Sequence, residues 1–209
     1  KLAATPFQMN THAIGDDANK VVLDAYKKAL VFSDDPRWRI EHAQIIDTFD
    51  IKLFNRKIIP SIQPTHATSD MYWAEERLGE NRLLGAYAYN DLLKRSGRIA
   101  LGTDFPVEEV SPLNTFYAAI ARKDSNQFPE GGFLSQNKLS RMDALKGMTL
   151  WGAYANFEES EKGSIEVGKF ADFIIMDRDI LNVSEKRILQ TRVVATILNG
   201  NVVYSNRIH

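Results

Sequence analysis

The chain has no cysteine among its 209 residues, so disulfides and thiolate metal ligands are excluded. Any metal must be held by His, Asp or Glu, and with only four histidines each one can be weighed singly. Neither sign of charge dominates: 26 Lys and Arg face 27 Asp and Glu, a formal net charge of -1. That balance gives no reason to expect a nucleic-acid or acidic-membrane partner. No apolar run approaches the roughly 18 residues a membrane span needs. Internal repeats and low-complexity tracts are missing too, and no glycine-rich phosphate loop appears. The chain starts at Lys1 and enters an apparent strand within a few residues, with no signal-like lead-in, which reads as a truncated or processed fragment. A cytoplasmic location is the default expectation.

What is present is ordinary for a globular protein, 44% hydrophobic and 25% charged. Residues 37–44, Arg-Trp-Arg-Ile-Glu-His-Ala-Gln, read as a short strand ending on His42. Residues 7–16 have the same form and end on His12, while residues 98–106 end on Asp104. Between these, 17–32 has helical spacing, 47–56 reads as a short helix, and 57–64 as a strand with His66 just beyond it. Residues 67–79 read as a long polar and aromatic loop, and 81–96 as a helix returning to the Asp104 strand. Strand alternating with helix predicts parallel β/α units with right-handed crossovers. Ser111-Pro112 and Ser140, three residues before Asp143, are helix starts. The style changes near residue 160: 173–176 is a compact strand, and 193–198 and 201–204 form a hairpin on Asn199-Gly200. Two parts are expected, 1–159 as a β/α unit carrying the site and 160–209 as a β appendage.

Three strands that deliver His12, His42 and Asp104 at their C-terminal ends predict a metal site at the mouth of a β/α barrel. Alone, either histidine reads as a hydrogen-bonded barrel residue; together, with Gly-Thr-Asp downstream, they favour a metal. His66 reads equally as a substrate contact or a surface residue. Trp73 and Arg77 read as a substrate wall or as loop anchors, Asp16 as a helix cap, and Glu41 as a residue that orients a neighbour. His209, at the terminus, is expected to be disordered.

These motifs carry a resemblance. His-Ala-Ile-Gly-Asp at 12–16, Glu-His-Ala-Gln at 41–44, Gln-Pro-Thr-His at 63–66, the stretch 70–79, Gly-Thr-Asp-Phe-Pro at 102–106 and Gly-Lys-Phe-Ala-Asp at 168–172 resemble amidohydrolase family 3, the branch of the N-substituted formamide deformylases. The resemblance implies an α/β fold, the C-terminal half of a (β/α)8 TIM-type barrel (strands 5–8), followed by part of a small β-sandwich. It implies His12 and His42 as metal ligands on strands 5 and 6, and His66 facing a small amide-type substrate. Asp104 would end strand 8, ligate a divalent metal, with zinc expected, and carry the proton from an attacking water to the leaving amine. The family also needs a His-x-His pair and a strand 4 ligand; no His-x-His occurs here. The expectation is therefore half of a metal-dependent hydrolase of non-peptide carbon–nitrogen bonds. It would be inactive alone and completed by the missing half or by self-association. The rival reading is a noncatalytic β/α domain that self-associates, its histidines structural.

Overall fold

Residues 1–206 are described by a computed structural model. Strand β2, Trp38–His42, alternates as its sequence demands: Trp38, Ile40 and His42 are buried while Arg39 and Glu41 stay partly exposed. It pairs in parallel with β1, Asn10–Ala13, and with β3, Ile58–Ile62, and β4, Ala100–Leu101, completes a sheet of order β1-β2-β3-β4. The register sets His12 beside Glu41 and Ala13 beside His42, so the first two strands end nearly level. Pro60 sits in β3 without breaking the sheet because β4 pairs only with Ser61 and Ile62, leaving Pro60 past the end of that ladder.

Helix α1, Asp16–Ala29, links β1 to β2, with Asp16 and Asp17 in its first turn and Lys27 and Lys28 in its last, the arrangement that suits its dipole. Asn19, fully buried, donates from Nδ2 to the carbonyls of Ala13, Ile14, Gly15 and Ile45 at 3.0–3.2 Å, which ties the turn after β1 to the turn after β2. The Tyr26 hydroxyl, 2.6 Å from Thr11 Oγ1 and 3.1 Å from the Arg39 carbonyl, pins the same helix across both strands. These contacts position the ends that carry His12 and His42.

The next connections differ from the sequence expectation in three places. Residues 47–56 form no α-helix, only a 3-10 turn at Ile51–Leu53: the Asp47 side chain accepts from the Phe49 amide and Asn55 from the Lys57 amide, local bonds that compete with helical ones. The expected loop at 67–79 is helical instead, as α2, Pro64–Asp70, and α3, Ala74–Leu83, which Gly79 kinks with φ 72°. The expected helix at 81–96 is broken between the end of α3 and α4, Tyr89–Ser96, because Gly85 passes against the backbone of Ile46 and Tyr87 takes φ 50°. Beyond β4, α5, Pro112–Ala121, starts on Ser111 as expected. Ser140 starts α6, Arg141–Met148, as expected, and α7, Leu150–Ala155, follows it, parted at Thr149 (φ -126°, ψ -91°).

The second sheet is antiparallel, of order β5-β6-β7: β5, Phe173–Met176, then β6, Val193–Leu198, and β7, Asn201–Ser205, with the short α8, Glu185–Ile188, between β5 and β6. Asn199 and Gly200 both have positive φ, 48° and 77°, as a two-residue hairpin turn requires. The result is a mixed α/β fold with one parallel and one antiparallel sheet. Its main core gathers side chains such as Leu23, Ile40, Ile62, Tyr89 and Phe116 from α1, the parallel strands, α4 and α5. Among the described residues no helix is long and apolar enough to cross a membrane.

Candidate metal centre

The parallel sheet delivers its histidines to one end. His12, exposed near the end of β1, packs its ring edge-on against His42, with centroids 4.6 Å apart and planes at 76°. His42, the last residue of β2, stacks on His66 at 5.7 Å and 13°. His66 lies in the first turns of α2, directly after β3, and its Nε2 stands 3.7 Å from Asp104 Oδ2. Asp104 follows β4 by three residues. One ligand atom from each of His42, His66 and Asp104 can be chosen so that all lie within 4.8 Å of one another.

That donor set fits a divalent cation. Imidazole nitrogens and a carboxylate are the ligands that zinc and similar ions take. Two of the nitrogens, His42 Nδ1 and His66 Nε2, are buried and have no hydrogen-bond partner among the described residues, an expensive state unless something else satisfies them. Burial, reinforced by the neighbouring His12, lowers the His42 pKa below the usual histidine value, favouring the neutral ring whose lone pair a metal needs.

A hydrogen-bonded group stands behind His66. Gln44 Oε1 is 3.3 Å from His66 Nδ1, and Gln44 Nε2 donates to Asp70 Oδ2 at 2.9 Å. The same Asp70 oxygen accepts from the Tyr87 hydroxyl at 2.7 Å. Burial raises the Asp70 pKa, against the hydrogen bond from Tyr87. On the other side Glu108 Oε1 lies 4.0 Å from His66 Nε2 and accepts from Ser69 Oγ at 2.6 Å.

The residues expected from sequence are thus partly gathered. His42 and Asp104 share one cluster of donor atoms with His66, expected as a substrate contact or surface residue, whereas His12, expected as a ligand, touches that cluster through its ring contact with His42. Trp73, 45% exposed at the start of α3, and Arg77, exposed one turn later, have no hydrogen bond, ion pair or ring contact with the cluster among the described residues. Asp16 is the first residue of α1, capped by Gly15, and its carboxylate pairs with Arg82 at 2.6 Å; that hydrogen bond holds its pKa below the ordinary value. Glu41 accepts from Arg39 Nε at 2.8 Å. His209 lies outside the described residues. Sequence reasoning gave no role to Gln44, Asp70, Tyr87 or Glu108. A signal existed for Asp70: it is four residues after His66, hence on the same face once 64–70 is helical.

Comparisons with known proteins bear on the family of the chain. A sequence model described as "Amidohydrolase family" matches residues 1–204. The protein LONG AFTER FAR-RED 3 of Arabidopsis thaliana is 32% identical over 201 residues, covering 94% of this chain and 34% of its own length. The N-substituted formamide deformylase of Arthrobacter pascens is 29% identical over 199 residues, covering 92% of this chain and 36% of its own. A crystal structure of an uncharacterized metal-dependent hydrolase from Pyrococcus horikoshii superposes with a TM-score of 0.72 at 32% identity, over 86% of this chain and 35% of that one. The chain therefore spans about a third of the length of the relatives it matches. On a match that runs nearly end to end, the chain belongs to the amidohydrolase family.

Proposed function

We propose that this chain supplies part of the active site of a metal-dependent hydrolase that cleaves non-peptide carbon–nitrogen bonds, amides above all, in small molecules. The observation that carries the reading is the convergence of His42, His66 and Asp104 at one end of a parallel sheet, with two buried imidazole nitrogens left unpartnered. In this reading the four parallel strands are strands 5–8 of a (β/α)8 barrel within residues 1–159, and residues 160–209 are part of a β-sandwich. The sheet order and the parallel pairing support it.

His42 and Asp104 would hold the ion, zinc by preference, with His12 and His66 as the further nitrogen donors within reach. A divalent ion bound there supplies Lewis-acid polarisation of a carbonyl and lowers the pKa of water toward neutrality. The chain's own residues do the rest. Asp104, exposed beside the histidines, takes a proton from the attacking water and returns it to the leaving nitrogen, so that the amine departs neutral. His66 stands where it can contact either the ion or the substrate. Trp73 and Arg77, on the exposed start of α3, are proposed as part of the substrate wall.

No His-x-His pair occurs in the sequence, so the remaining ligands come from the missing half or from a second copy, and the 209-residue chain alone is expected to be inactive. The test is elemental analysis of the purified chain and of a His12→Ala/His42→Ala double variant, repeated on the full-length parent. Zinc in stoichiometric amount in the parent, lost in the variant together with amide hydrolysis, is the expected result. A parent that hydrolyses amides without metal, or with both histidines replaced, would refute the reading and favour structural histidines. Full turnover by the 209-residue chain would refute its inactivity alone.

A further inference from the structure

The two ring nitrogens of His66 face different chemistry, and the protein decides which carries the proton. Nδ1 is 3.3 Å from Gln44 Oε1, whereas Nε2 is buried, has no hydrogen-bond partner, and looks toward Asp104 and Glu108. The orientation of the Gln44 amide settles the matter. Its other end is 2.9 Å from Asp70 Oδ2, an oxygen that also accepts the Tyr87 hydroxyl at 2.7 Å. A carbonyl oxygen turned toward that carboxylate would be repelled, so the amide nitrogen points at Asp70 and the amide oxygen at His66. An amide oxygen only accepts; a hydrogen bond to it needs a proton on Nδ1.

We propose that Gln44, Asp70 and Tyr87 are positioning residues that lock neutral His66 as the Nδ1–H tautomer, presenting its Nε2 lone pair to the space beside Asp104 and Glu108. Tyr87 anchors Asp70, Asp70 fixes the amide, and the amide fixes the ring. All four side chains are buried or half-buried, so water competes poorly for these bonds. The arrangement gives the unpartnered Nε2 a use: its lone pair is free to meet the ion or a donor group of the substrate. The opposite assignment would need a protonated Asp70, an amide turned over and a proton on Nε2.

The proton can be located directly, without metal. Long-range proton–nitrogen correlation spectra of the 15N-labelled 209-residue chain, at about pH 8, above the reference imidazole value, are expected to show a pyrrole-type Nδ1 and a pyridine-type Nε2 for His66. Gln44→Leu removes the acceptor, and the proton should move to Nε2. Gln44→Met, closer to glutamine in shape and likewise without an acceptor oxygen, should move the proton in the same way; if the leucine variant fails to fold, this variant decides alone. A pyridine-type Nδ1 in the unaltered chain overturns the proposal, as does an unchanged Nδ1–H in Gln44→Leu or Gln44→Met. A second arm rests on the metal-centre reading: zinc affinity of the parent, measured by calorimetry, should fall about 10–100-fold in Gln44→Leu. A locked tautomer in a protein that binds no zinc would sink the metal reading and leave the tautomer assignment standing.

Discussion

Gly85 is the narrowest point behind the cluster. A Cβ added there would lie 1.7 Å from the Ile46 carbonyl oxygen and 2.9 Å from its carbon, where real contacts do not fall below 3.0 Å. Both neighbours are backbone, so no side chain can swing aside. The two segments must separate by more than about 1 Å, and they are joined here by two hydrogen bonds, Ile46 amide to Gly85 carbonyl at 3.0 Å and Tyr87 amide to Gln44 carbonyl at 2.7 Å. A displacement of that size takes both bonds out of range. Ile46, Gln44, Gly85 and Tyr87 are all buried, so the freed groups find no water. With about 1–3 kcal/mol for each of the two losses and a similar strain for overpacking, Gly85→Ala should cost on the order of 3–9 kcal/mol. Gly97→Ala is the matched control: Gly97 has φ 76° but open space around its Cβ position, so it should cost only about 1 kcal/mol. Urea denaturation followed by tryptophan fluorescence measures both. A Gly85→Ala chain within about 1 kcal/mol of the control would show that the close approach is not what holds Tyr87 against Asp70.

Ser140→Ala should destabilise by about 1 kcal/mol in the same assay, because Ser140 Oγ accepts from the Asp143 amide at 3.0 Å and donates to its carboxylate at 2.6 Å; no measurable loss would deny that this cap starts α6. Burial works to raise the Glu159 pKa, but the 2.9 Å hydrogen bond to Arg37, its own backbone amide and the Arg37 charge together leave the pKa lowered. Since the folded pKa is the lower one, this stabilisation is present above the unfolded value of about 4.3 and fades as pH falls through the folded value; wild type should lose its stability margin over Glu159→Gln across that range, and a margin independent of pH would refute the pairing. Asp104 holds φ 61° and is exposed, so Asp104→Gly should raise stability by about 0.5–1 kcal/mol while weakening zinc binding by the parent. A less stable glycine variant would mean that the Asp104 side chain supports the fold.

The parts of the molecule that could be read from sequence are those in which a local rule and the global fold agree. Trp38, Ile40 and His42 alternate with polar residues because β2 buries one face, and Asn199-Gly200 declares its hairpin because few other pairs tolerate two positive φ values. Helix α2 could not be read that way. Pro64 through Thr68 are all buried, so the helix has no polar stripe to set against an apolar one, and its Thr-His-Ala-Thr run resembles a loop. With α2 mistaken for loop, the His66–Asp70 face disappeared, and with it the reason to look at Gln44 and Tyr87. The backbone around two of the donors shows a second kind of conflict. His42, Ala43 and Asp104 all take positive φ, 75°, 43° and 61°, a region that costs a non-glycine residue free energy. Nothing in Glu-His-Ala-Gln or Gly-Thr-Asp-Phe announces such a turn. It persists at His42 because the backbone on either side is over-determined: the Ile45 amide bonds to the Ile14 carbonyl at 2.9 Å, and Asn19 grips four carbonyls around it. Strain held in place by buried hydrogen bonds, at the residues that offer ligand atoms, is how a fold aims side chains where local preference would not send them.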